Sequence, residues 1–118
     1  MDPEKAQQFA EEWIAAWNAH DLAAVLEHYE DDFEMSSPII VRIMNEPSGT
    51  LRGKAAVGEY WARALKALPN LRFEHVATLA GANSLVIYYV GHKGAAAEVF
   101  HFGPGGKVAR AFAHYADP

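Results

Sequence analysis

Apolar residues recur along the first part of the chain at intervals of three and four. Ala6, Phe9, Ala10, Trp13, Ile14 and Trp17 share one side of a helix predicted over residues 3–18. Its start is marked by Asp2, a side-chain acceptor for orphan amides, and by Pro3, which loses nothing at the first helical position. Asn18, Ala19, His20 and Asp21 interrupt the stripe, and Asp21 is placed to cap a second, shorter helix with Leu22, Val25, Leu26 and Tyr29 on its apolar side. From Phe33 the period shortens to two. Phe33, Met35 and Ser37 fall on one side and Glu34 and Ser36 on the other, a short strand that stops at Pro38. Residues 39–44 are a β-branched apolar run that fits either an edge strand or a buried loop. Helical spacing returns after Gly53 with Val57, Tyr60, Trp61, Ala64, Leu65 and Leu68, and Pro69 with Asn70 ends it.

The remaining chain predicts four strands, over 71–80, 84–92, 95–102 and 107–115, separated by short glycine-bearing turns. Consecutive strands joined this way are antiparallel neighbours, and helices followed by a meander define an α+β fold. The last hairpin has two possible registers. A four-residue turn over 103–106 sets Glu98 opposite Ala111, with Phe100, Ala109, Ala113 and Tyr115 on its face. A three-residue turn with Gly106 left-handed sets Glu98 opposite Phe112 and diagonal to His114.

Composition narrows the class. The 118 residues are 51 % hydrophobic, enough for one domain over 1–118 with a packed core. The formal charge of −5 does not suit a surface that tracks phosphates, so nucleic acid is not an expected partner. No stretch approaches the roughly 18 apolar residues of a membrane span, and the chain is read as cytoplasmic, without membrane contact. With no cysteine there is no disulfide, thiolate ligand or cysteine nucleophile. His20, His28, His75, His92, His101 and His114 lack metal-ligand spacing, so no metal is expected. Gly49 to Ala55 is one residue short of a phosphate loop and lacks its Ser or Thr, and the glycines at 103–106 lead into a strand, away from any helix N-terminus.

Two features carry chemistry. Glu98 stands in an otherwise apolar strand, where an unpaired carboxylate is costly and the acid is pushed toward its protonated form. Strand alternation toward solvent is the competing reading. Trp13, Trp17, Tyr29, Tyr60, Trp61, Phe73 and Phe100 fall on inward stripes, more large rings than a small core needs, and an aromatic-lined pocket follows from that excess. Ala97, Val99, Val108 and Phe112 are expected to share the other sheet face and to leave an apolar patch that suits a homodimer.

Several strings carry a family likeness. They are Trp17-Asn18-Ala19-His20-Asp21-Leu22, Tyr29-Glu30-Asp31-Asp32-Phe33, Gly53-Lys54-Ala55-Ala56-Val57-Gly58-Glu59-Tyr60-Trp61, and Gly106-Lys107-Val108 with Ala113-His114-Tyr115. Through them the chain resembles the nuclear-transport-factor-2 superfamily, in its SnoaL-like branch of polyketide cyclases near the ketosteroid isomerases. The resemblance implies a cone-like α+β barrel, three N-terminal helices packed on a curved antiparallel sheet. It also sets the isomerases' general-base aspartate on Ser37 and their oxyanion-binding tyrosine on Trp13, both departures, and their protonated acid on Glu98. It favours the register that puts Tyr115 in the pocket and His114 outside it.

The expected site therefore has Glu98 as its catalytic acid or base, with Trp13, Trp17, Tyr29, Met35, Ser37, Tyr60, Trp61, Phe73, Phe100 and Tyr115 binding the ligand. The expected function is binding of a small hydrophobic molecule, with cofactor-independent acid/base chemistry of isomerase, cyclase or dehydratase type on a cyclic or polyketide-like compound. A non-catalytic ligand-binding or association domain on the same scaffold is the alternative.

Overall fold

In the computed structural model, which describes residues 1–118, Asp2 Oδ1 accepts from the Glu4 amide at 2.8 Å and opens helix α1 (Pro3–Asn18). Asp21 repeats the device for α2 (Leu22–Leu26), accepting from the Ala24 amide at 3.1 Å. This helix is shorter than its apolar stripe suggested: Tyr29 is the first residue of β1 (Tyr29–Ser36). The apolar run that follows is neither edge strand nor loop but a helix, α3 (Pro38–Ile43), because Ser37 Oγ caps the Ile39 amide at 3.1 Å and Pro38 occupies the first helical position. The short strand β2 (Thr50–Arg52), absent from the sequence reading, pairs antiparallel with β1 before α4 (Lys54–Ala67) begins.

Strands β3 (Glu74–Ala80), β4 (Ser84–Gly91), β5 (Gly94–Phe102) and β6 (Val108–Tyr115) form the expected meander. Short turns say nothing about strands distant in sequence, and there the sheet departs from expectation. Strand β1 lies beside β6 and runs parallel to it, so the six-stranded order β2-β1-β6-β5-β4-β3 is mixed, and the curved sheet stays open at β2 and β3. The fold class is α+β, with four helices in place of three.

The last hairpin combines elements of both possible turns. Gly106 is left-handed (φ 82°), a conformation that glycine adopts without steric cost. A further irregularity leaves Ala109 unpaired between Phe102↔Val108 and His101↔Arg110. The two displacements add, so Glu98 pairs with Ala113, not with Ala111 or Phe112. Because the total slip from the four-residue register is two residues, side-chain parity survives. Ala96, Glu98 and Phe100 therefore share the inner face with Tyr115, Ala113 and Ala111. The bulge also turns Val108 inward to full burial, removing it from the outer apolar face expected for it.

Helix α1 lies against that inner face through Trp13. Its ring stacks on Phe73 at 5.5 Å and meets Tyr89 and Phe100 edge-on at 5.5 and 5.4 Å. Such pairs contribute about 0.5–1.5 kcal/mol each beyond their buried area. Phe100 is fully buried in this cluster, also touching Phe9, so Phe100→Ala should lower the unfolding free energy by about 3–5 kcal/mol. Gln7→Ala, at an exposed position of α1, should stay within about 0.5 kcal/mol. Urea denaturation reads both, and equal losses would refute this account of the core.

Candidate active site

Beyond Trp13 the helices diverge from the sheet and leave a cavity of about 320 Å³, with 14 hydrophobic residues among its 21 lining residues. One wall is α4, through Tyr60, Trp61, Ala64, Ala67 and Leu68, and a second is α3, through Ile39, Arg42 and Ile43. The sheet supplies Met35, Tyr89, Ala95, Glu98 and Tyr115, while Trp17 and Phe73 contribute rings. His92 and Lys93, in the β4–β5 turn, and Asp117 complete the polar part of the lining.

Strand alternation puts Glu98 on the inner face, where it is 5 % exposed. The register sets Ile87 opposite it and Tyr89 on the neighbouring diagonal, and Tyr89 donates its hydroxyl hydrogen to Glu98 Oε1 at 3.3 Å. The second oxygen, Oε2, is buried with no partner. Burial is the main influence on this acid, raising it from the ordinary 4.5 to about 8, and the Tyr89 hydrogen bond offsets only part of that. Burial likewise raises the phenols of Tyr29, Tyr89 and Tyr115, with the charge of Glu98 next in importance. Tyr60 is pushed up to about 12, burial again leading. At neutral pH the site thus contains a mostly protonated carboxyl group surrounded by neutral phenols, able to donate one proton and to recover it.

Of the residues expected to form the site, Glu98, Trp17, Met35, Tyr60, Trp61, Phe73 and Tyr115 line the cavity. Trp13, Tyr29, Ser37 and Phe100 lie outside its lining. Trp13 Nε1 donates to the Tyr29 hydroxyl at 3.0 Å, a buried bond that ties α1 to β1. Ser37 Oγ both caps α3 and accepts from the Tyr60 hydroxyl at 3.5 Å, so the position of the isomerases' base serves local structure and orients Tyr60. Trp17 Nε1, by contrast, is a buried donor without a partner beside the cavity.

His114 is exposed, with Nδ1 3.2 Å from the Phe112 carbonyl, and stands apart from Glu98. No three His, Cys, Asp or Glu side chains converge in a way that would hold a metal ion. Sequence reasoning missed Tyr89, although Leu85, Ile87 and Tyr89 alternate on β4 and point inward together. It missed Arg42, His92 and Lys93 because only tertiary packing brings α3 and the β4–β5 turn to one opening. No helix is long and apolar enough to cross a membrane.

Helices laid over the inner face of a curved mixed sheet, with an apolar cavity between them, define the ketosteroid-isomerase-like or cystatin-like class of α+β proteins. Within that class the chain belongs to the SnoaL-like family: the model of the SnoaL-like domain matches residues 10–115. A SnoaL-like protein of unknown function from Burkholderia thailandensis E264 is 61 % identical, with a TM-score of 0.94 over 98 % of this chain and 97 % of that one. The epoxide hydrolase/cyclase-like enzyme SalBIII, of pyran ring formation in the polyether salinomycin, is similar in fold at 19 % identity, with a TM-score of 0.78 over 98 % of this chain and 93 % of its own. TerC, co-crystallised with polyporic acid, is similar at 15 % identity, with a TM-score of 0.76 over 95 % and 92 %. No curated protein matches the chain.

The weakened acidity of Glu98 has a consequence for stability. The folded state binds a proton more tightly than the unfolded chain, so the stabilisation is fully present below about pH 4.5 and is lost as pH rises through about 8. Between pH 5 and 9 the wild type should lose on the order of 4 kcal/mol relative to Glu98→Gln. Urea titrations across that range check it, and parallel curves for the two proteins would show a carboxyl of ordinary acidity.

Proposed function

We propose that this protein binds a small, largely apolar cyclic or polyketide-like molecule and catalyses cofactor-independent proton transfer on it, with Glu98 as the acid. The observation that carries this reading is the Glu98 carboxyl, buried in the cavity wall with Oε2 unpartnered. An unsatisfied buried polar atom calls for an explanation, and a catalytic role is one of the recognised ones. Protonated Glu98 donates to the ligand's carbonyl oxygen while solvent at the cavity opening takes the proton from the neighbouring carbon, giving the neutral enol; the Glu98 carboxylate, held by the Tyr89 hydroxyl, takes the enol O–H proton back as that carbon regains a proton from solvent. The apolar walls exclude water and favour the neutral acid between turnovers. That TerC was co-crystallised with polyporic acid, and that SalBIII is named as an epoxide hydrolase/cyclase-like enzyme, supports a ring-bearing ligand on this scaffold.

The test is hydrogen–deuterium exchange at carbons next to the carbonyl of cyclic ketones, followed by NMR. Wild type should accelerate exchange, and Glu98→Gln should slow it by about 10²–10⁴ while binding changes only a few-fold. Binding without Glu98-dependent exchange would make the protein a non-catalytic ligand carrier. That second reading draws on the commitment of Ser37 and Trp13 to internal hydrogen bonds, which leaves Glu98 without a second catalytic carboxyl.

The outer sheet face bears on assembly. Val76, Leu79, Tyr88 and Val90 are all exposed there, and a homodimer that covers them is the association we infer. Sedimentation equilibrium should give a dimer for the wild type and a monomer for Leu79→Glu. A monomeric wild type would remove the idea.

A further inference from the structure

The cavity opening carries charge that neither the core nor the proposed proton transfer uses. Arg42 reaches it from the last turn of α3 and Lys93 from the β4–β5 turn, so two cations approach one opening from separate elements. Neither is neutralised. The four ion pairs in the structure are His28–Glu12, Arg52–Glu34, Lys54–Asp31 and Arg63–Glu59. The lining contains two carboxyl groups, Asp117 and Glu98, and Glu98 is buried and mostly protonated at neutral pH. His92 shares the same turn. Arg42 and Lys93 are both exposed and both line the cavity, so they stand at its edge. Two free cations at one opening stand out in a chain with 15 acidic and 10 basic residues.

The opposite demand comes from deeper in the cavity. Glu98 Oε2 and Trp17 Nε1 are buried and unpartnered, and both residues line the same space. Both groups can donate, the indole by its N–H and the carboxyl by its O–H, so an oxygen substituent on the ligand suits this end of the cavity. Between the two polar ends the lining is aromatic and aliphatic.

We propose that the ligand is an amphipathic cyclic carboxylic acid, with its hydroxyl or keto oxygen toward Glu98 and Trp17, its ring against the apolar walls, and its carboxylate at the mouth held by Arg42 and Lys93. This rests on the cavity being the ligand site, as proposed above, and adds the charge of the substrate. Arginine is the better of the two anchors, since its planar fork matches a carboxylate with two parallel hydrogen bonds, and lysine adds a point charge from the facing turn.

Isothermal titration at neutral pH with 6-hydroxy-2-naphthoate and its uncharged carboxamide separates the possibilities. Wild type should bind the carboxylate about tenfold or more tightly than the carboxamide, and high salt should erode the difference. In the Arg42→Ala/Lys93→Ala double variant the two probes should bind within about twofold of each other, because the carboxylate loses its advantage. Both positions are exposed, so the variant's thermal transition should match that of the wild type. Equal affinity of both probes for the wild type, or a preference that survives the double substitution, overturns the charge selection while leaving the cavity as a ligand site. Failure of both probes to bind folded wild type overturns this proposal and the ligand-site reading together.

Discussion

Trp13 is wholly enclosed, and each side of its indole meets a different part of the sheet. Its N–H is bonded to Tyr29 at the start of β1, its face lies on Phe73 ahead of β3, and its edges meet Tyr89 on β4 and Phe100 on β5. One side chain thus fixes the distance and direction of α1 relative to four places on the sheet. Interiors packed to crystal-like density do not deform continuously, so this contact determines where the remaining space falls. Trp17, one turn further along α1, meets Trp61 of α4 edge-on at 5.2 Å and closes one side of the cavity. Trp13 therefore serves the site by holding the wall in place, without standing in the lining itself.

The same packing creates the electrostatic problem on which the proposed chemistry depends. A carboxyl group on the inner face of a sheet covered by rings is desolvated, and a single hydrogen bond of 3.3 Å from Tyr89 compensates for little of that. The group answers by holding its proton. A fold selected only for stability would place an apolar side chain there, as it does at the neighbouring inner positions Ala96 and Phe100. Proton affinity tuned toward neutral pH by burial is the ordinary physical route to an acid that works at that pH. The two other polar positions suggested by the family likeness have been absorbed into structure, Ser37 as a helix cap and Trp13 as a tie between α1 and β1, which leaves Glu98 as the one of the three that lines the cavity.

Much of this was legible in the residues. The period of three and four and the paired caps at Asp2 and Asp21 give α1 and the start of α2, and the period of two with glycine-bearing turns gives the meander β3 to β6. These are local properties, set by backbone geometry within a few residues. Alternation alone is also enough to put Glu98, Phe100 and Tyr115 on one face, provided the hairpin slips by an even number of residues, as it does. The helix at Pro38 was hidden because β-branched residues suit a strand, and the Ser37 cap with Pro38 outweighs that preference. The deeper cavity residues were reachable for the same reason as Glu98: their faces follow from spacing.

What the residues by themselves determined is therefore the class of the elements with a clear repeat, α1, α4 and β3 to β6, and the face that most of their side chains take, since both follow from steric repeats along the backbone. Only the tertiary structure decided which distant elements meet. The parallel pairing of β1 with β6, the bulge that leaves Ala109 unpaired, the diagonal from Tyr89 to Glu98, and the presence of Arg42 and Lys93 in the lining of one cavity are all decided by how separate segments come together. Such contacts are selected by the burial they achieve together, and no short window of sequence contains that sum.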